Sequence, residues 1–227
     1  MKEKPISYLG MGILAFLFLG MDVVVLLVTF LFYGTMDFSA RIEAHGFSVM
    51  LLQWGLTSVM WAAGVFSLYS LAKKKGYNVL ENNSARAPLK NWIIVFALLI
   101  AAVIGQLLMY NMQFKPLVEF LRMRELFSSY AILAFIIQYI YYAFEVSLFL
   151  SVIVYGQKFG EIVFRKENIP WGGILCGLLW GLLHIFTKDL LTGIYLAAFS
   201  LVYGFVYLLL QKNVKYTYIV LALMFIL

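Results

Sequence analysis

Seven apolar runs, at residues 8–34, 47–72, 91–112, 130–157, 171–187, 190–211 and 214–227, leave this chain little to fold into except helices packed in a lipid bilayer. Crossing the hydrocarbon core takes about 20 apolar residues in a helix, because backbone polar groups at that depth must be satisfied within the protein. Six of the runs approach or exceed that length, and the last is shorter. The expected fold is therefore all-α: a polytopic transmembrane helix bundle of six full spans plus a short C-terminal helix, in one integral membrane domain over 1–227. Composition points the same way. Hydrophobic residues make up 64% of the chain and charged ones 12%, with a mean hydropathy of +0.93, whereas soluble domains are roughly half apolar. The run after MKEKPIS is too long for the apolar part of a signal peptide and ends without a small-residue cleavage site, so it reads as a retained anchor.

The distribution of lysine and arginine predicts orientation. With the N-terminus inside, the inner segments hold Lys2, Lys4, Lys73, Lys74, Lys75, Arg86, Lys90, Lys158, Arg165, Lys166, Lys212 and Lys215, while the outer side holds only Arg41, Lys115, Arg122, Arg124 and Lys188. That bias satisfies the positive-inside rule and places the 73–90 and 158–170 loops on the cytoplasmic side of the membrane. Basic residues flanking spans meet anionic headgroups, so the net charge of +6 implies lipid as a partner and requires no nucleic acid.

Two carboxylates lie deep in the runs: Asp22 in GMDVVVLL and Glu145 in FEVSLFLSV. A charge at the bilayer centre costs about 2.5–3.5 kcal/mol on insertion scales, so such groups are sheltered, paired or functional. Gln138, Tyr142 and Glu145, spaced i, i+4, i+7, share one helix face that must look inward. Asp22 reads as structural, hydrogen-bonded to Gln53 or Gln106 on a neighbouring span. In WGGILCGLLWGLLHIF (171–186), Gly173, Gly177 and Gly181 form a small-xxx-small stripe that admits a close neighbour, expected to be the 130–157 helix, and His184 follows one turn later. A lone histidine near a span end is more often structural than catalytic; its pairing with Glu145 changes that weighting. Cys176 has no partner thiol and reads as a packing residue. No cofactor is indicated. No metal site is indicated either, since zinc takes at least three protein ligands and this core offers one histidine, two separated carboxylates and one cysteine.

From about Ala131 onward the chain resembles the CPBP intramembrane proteases, which include the CAAX prenyl endopeptidases and bacterial relatives linked to bacteriocin production and immunity. Glu145 stands where that family's first motif, EExxxR, begins. Trp180-Gly-Leu-Leu-His184 fits its second, F/WxxxH, 39 residues on, and the 197–213 stretch resembles the following helix. The resemblance implies a CPBP-like region over 131–227 and Glu145 and His184 as the candidate catalytic pair, facing one another across a cavity, with glutamate activating water against a peptide carbonyl.

The departures shape the functional expectation. Val146 replaces the second glutamate, Leu150 the arginine, and 214–227 carries no third motif of the HxxxN/D kind; its only hydroxyl donors of the right type are Tyr216 and Tyr218, and the only other histidine is His45, in a loop. Losing one oxyanion donor typically costs about 10²–10³ in rate. The expected function is that of a degenerate, non-catalytic member, a pseudoenzyme binding a peptide or partner membrane protein in the former active-site cavity, as an immunity or regulatory subunit would. The alternative is an active intramembrane endopeptidase with an atypical Glu/His set that borrows Asp22 or Asp189.

Overall fold

The computed structural model describes residues 4–79 and 86–227. Residues 1–3, including the Lys2 counted for orientation, and 80–85 within the 73–90 loop lie outside the described residues. All regular elements among the described residues are helical. In chain order they are α1 (Pro5–Leu19), α2 (Met21–Tyr33), α3 (Phe38–His45), α4 (Phe47–Met50), α5 (Leu56–Lys74), α6 (Leu89–Met109), α7 (Lys115–Phe127), α8 (Ala131–Phe164), α9 (Trp171–Cys176), α10 (His184–Thr187), α11 (Leu190–Leu209) and α12 (Val214–Ile226). Single π turns, Leu51–Gly55 and Gly177–Gly181, join α4 to α5 and lead from α9 towards α10.

Five continuous segments are long and apolar enough to cross a membrane: Pro5–Tyr33, Phe47–Lys74, Leu89–Met109, Lys115–Phe164 and Leu190–Leu209. The run expected as a further full span is a shorter apolar helix, Trp171–Phe186, started by Pro170, interrupted by its π turn and stopped at Lys188–Asp189, where the backbone turns extended to cap α11. The first span is also less regular than its composition suggests. Gly20 separates α1 from α2, so Asp22 falls in the first turn of a new helix, where the helix dipole favours a carboxylate. Trp61 donates its indole N–H to the Leu19 carbonyl at that break (3.3 Å).

Sequence reading treated 113–129 as a connection, whereas the chain forms α7 there. KPLVEFLRMRELF is not apolar enough to register as a span. Its Lys115, Glu119, Met123 and Phe127 recur every four residues, and all four are buried. The lower half of that stripe, Met123 and Phe127, joins Ile42, Val49, Met50, Ala131 and Ala134 in a cluster beneath α3.

α8 is the axis. Its 34 residues reach roughly 51 Å, well beyond the ~30 Å hydrocarbon slab, and it packs against α1, α5, α7, α9 and α12. Between Val146 and Gln157 nearly every side chain is buried, as a helix surrounded by others requires. The glycine stripe of the 171–186 helix does permit close approach, but of a different neighbour from the one expected. A methyl on Gly181 would stand 2.6 Å from the Ala197 Cα, and one on Gly173 2.6 Å from the Ser200 carbonyl oxygen, both on α11. Approach to α8 depends instead on Gly172, where a methyl would overlap the Ile153 carbonyl oxygen. The helix is thus sandwiched, with adjacent glycines on opposite faces serving opposite neighbours.

The two ends of the bundle are chemically distinct. At one, Asn91 donates to the Leu209 carbonyl (2.7 Å), Lys212 pairs with Glu161 (2.7 Å), and the Tyr77 ring meets Tyr8 edge-on and Tyr155 at a tilt. At the other lie Arg41, Lys115 and the end of α12. Replacing Gly181 by leucine is expected to lower the unfolding midpoint in detergent, with an overpacking cost of about 1–3 kcal/mol or more. Gly10→Ala, whose methyl meets nothing within 4 Å, is expected to leave the midpoint unchanged or slightly raised. Thermal circular dichroism of the two variants checks both.

Candidate functional site

Three polar groups of partners meet near the middle of the bundle. The first surrounds Asp22. Gln53, presented by the π turn before α5, donates its Nε2 to Asp22 Oδ1 (3.4 Å), and Thr57 donates to the same oxygen (3.2 Å). The expected partnership of Asp22 with Gln53 is therefore present. It extends further: Thr29 Oγ1 donates to Gln53 Oε1 (2.8 Å) and receives Arg41 Nη1 (2.7 Å), while Arg41 Nε donates to the Thr35 carbonyl (2.6 Å). Each link from Arg41 through Thr29 and Gln53 donates towards Asp22, a polarised chain connecting a cation on α3 to a carboxyl on α2 by way of the π turn before α5. Arg41 is only 1% exposed, an inserted side chain that sequence reading left in an outer loop. Its signal is the Asp37 cap of α3, whose carboxylate accepts from the Ser39 and Ala40 N–H groups and turns the following residues into a helix.

The second group is built on Trp180, carried by the other π turn. π turns widen a helix locally and are frequent at functional sites. The Trp180 indole is a near neighbour of Glu145 from α8. Its ring lies edge-on to that of His184, with centroids 5.0 Å apart, and against Phe149 at 5.3 Å. The His184 ring, in turn, bonds through Nδ1 to the Trp180 carbonyl oxygen of its own helix (2.7 Å). Among the described residues no hydrogen bond or ion pair joins Glu145 to His184; the indole is their common neighbour. The charges that reach Glu145 are those of Asp22, Lys115 and Lys188.

The third group lies outward of Glu145 along the same face of α8. The polar stripe inferred from spacing is real: Gln138 Nε2 donates to the Tyr142 hydroxyl (2.6 Å). Tyr142 donates in turn to Glu119 Oε1 (2.6 Å), and Tyr139 donates to Glu119 Oε2 (3.4 Å). Glu119 and Lys115 come from α7, each 7% exposed, and sequence reading missed both with that helix. Their i, i+4 spacing on a face continued by Met123 and Phe127 was the available signal.

Positions 146 and 150, where the resemblance would place a second glutamate and an arginine, are packed solid: Val146 is 0% and Leu150 3% exposed. The Tyr218 hydroxyl is engaged with the Ala143 carbonyl (3.2 Å), and Tyr216 stacks edge-on with Trp92. Asp189, the other borrowed group considered, caps α11 by accepting from the Thr192 N–H (2.8 Å) and hydroxyl (2.7 Å), which hold its carboxyl below the usual carboxylate range. Cys176 is fully buried, as a packing residue would be. No group of three His, Cys, Asp or Glu side chains suited to a metal ion occurs among the described residues.

Breaking the relay tests its structural weight. Gln53→Leu, which severs Asp22 from Thr29 and Arg41, is expected to cost about 1–3 kcal/mol, seen as a lowered unfolding midpoint. Asp22→Asn keeps shape and an acceptor oxygen, and is expected to lose little.

Comparison of the chain with family models, curated proteins and solved structures found no match, so the site is read from its own residues and their geometry.

Proposed function

We propose that the chain is a degenerate, non-catalytic relative of the CPBP intramembrane proteases, which holds a peptide or a segment of a partner membrane protein at the Glu145–Trp180–His184 centre. The observation that carries this reading is the commitment of His184 through Nδ1 to the Trp180 carbonyl oxygen of its own helix, with no hydrogen bond or ion pair joining it to Glu145 among the described residues. A general base must reach the proton it removes, and an oxyanion needs donors aimed at it. Here the positions for additional polar groups hold buried valine and leucine. A service such as immunity or regulation needs binding only. In the competing reading, an active endopeptidase with an atypical Glu/His set, the charge of Asp22 near Glu145 would supply the missing carboxylate.

In the membrane this reading has six crossings, with Trp171–Phe186 as a short sixth beside the five longer segments, α12 as a shorter seventh helix, and the N-terminus in the bacterial cytoplasm. Cysteines placed in the 73–90 and 158–170 loops are then expected to resist membrane-impermeant maleimide in intact cells. Efficient labelling would reverse the orientation.

Function is tested with purified protein and a panel of photo-reactive membrane peptides. Cross-linking without cleavage is expected, tolerant of Glu145→Gln, and neither Val146→Glu nor Leu150→Arg alone is expected to create activity, because groups acting as a unit are strongly non-additive. Cleavage by the unaltered protein that is abolished by Glu145→Gln would establish the endopeptidase instead.

A further inference from the structure

One aromatic side chain packed against this centre comes from the last turn of α12. Phe225 lies edge-on to Tyr142 with ring centroids 5.3 Å apart, and its ring centroid is 5.8 Å from that of Phe149 and 6.5 Å from that of Trp180. Its carbonyl oxygen is held as well as its ring. Lys115 Nζ donates to it at 2.5 Å and Gln106 Nε2 at 3.4 Å. The same ammonium stands 4.9 Å from the Phe225 ring centroid and 5.4 Å from that of Tyr142, and it feels the charges of Glu119 and Glu145. A lysine is rarely buried to 7% exposure without a task. This one comes from α7, on the far side of the bundle in sequence, and spends its charge on a main-chain carbonyl.

Physical chemistry explains why such an arrangement binds a helix end. The last carbonyls of any helix lack partners within it, and at membrane depth no water replaces them. A cationic donor, a neutral donor and an aromatic wall satisfy both halves of one residue, its carbonyl and its ring. Beside them Gln138, buried and already bonded to Tyr142 through its amide nitrogen, keeps its Oε1 without a partner among the described residues, so an acceptor stays unused while Phe225 is in place.

We propose that Lys115, Gln106 and the Tyr142–Phe149–Trp180 wall form a recognition site for an aromatic residue and its main-chain carbonyl, filled in cis by Phe225, and that a partner segment enters by displacing the end of α12. This rests on the peptide-binding reading above and specifies which part of the segment is read. A tethered occupant acts at an effective concentration on the order of mM, so the intact chain masks the site against a weaker competitor in trans.

The test uses a fluorescein-labelled peptide of sequence 214–227, VKYTYIVLALMFIL, added to the full chain in lipid nanodiscs and followed by anisotropy. Phe225→Ala is expected to bind the peptide at least tenfold more tightly than the unaltered chain, and adding Lys115→Met is expected to abolish that gain. Phe225→Leu, which preserves most of the apolar volume, gives an intermediate gain and covers the case in which the alanine variant does not fold. Equal binding by the unaltered chain and both Phe225 variants overturns the cis plug, and a gain that survives Lys115→Met overturns the carbonyl clamp. If these fail while the photo-reactive membrane peptides still cross-link near Glu145, the inference falls and the binding function stands; if no peptide is captured by any variant, both fall.

Discussion

Inside a bilayer no water is available to a stranded donor or acceptor, and that single constraint organises the polar half of this molecule. Asp22, Gln53, Thr29 and Arg41 form one satisfied chain, and Glu119, Tyr142 and Gln138 form a second in which only the Gln138 Oε1 stays unpaired among the described residues. Both place side chains from sequence-distant helices at bonding distance, so each works as a register mark for the bundle as well as a store of polarity. The break at Gly20 and the two π turns belong to the same economy: each departs from regular helix where a polar or aromatic group must be aimed inward. Both π turns end in the dipeptide Trp-Gly, in LLQWG and GLLWG, one presenting Gln53 to Asp22 and the other Trp180 to Glu145.

Apolar packing supplies the frame on which those groups are fixed. α8 is buried between Val146 and Gln157, and the short 171–186 helix can lie between α8 and α11 only because its adjacent glycines, Gly172 and Gly173, present bare backbone in opposite directions. Close backbone contact of this kind places Trp180 beside Glu145. On the other side the wall is α12, a single short helix whose end is secured through Phe225.

Much of this was legible in the sequence, and the illegible part has physical reasons. Run lengths reveal helices because spanning requires continuous apolar residues, and the polar face of Gln138, Tyr142 and Glu145 follows from helix periodicity alone. α7 escaped because its burial depends on one face in four, with lysine and glutamate in the buried stripe; hydropathy averages that away. Gly173, Gly177 and Gly181 announced a close contact but could not say with which helix, since a small-residue stripe carries no information about its partner. Trp180 was read as part of a motif leading to His184. Its place between His184 and Glu145 depends on a π turn that no local spacing marks.

The central claim is that Glu145, a neighbour of Trp180, forms no acid–base pair with His184. A double-mutant cycle in mixed micelles measures this directly, using Glu145→Gln with Trp180→Phe and Glu145→Gln with His184→Ala. The account expects a coupling of about 1 kcal/mol or more for the first pair and additivity within about 0.5 kcal/mol for the second. Strong coupling of Glu145 to His184, with none to Trp180, would contradict it and restore an acid–base pair at the centre of the bundle.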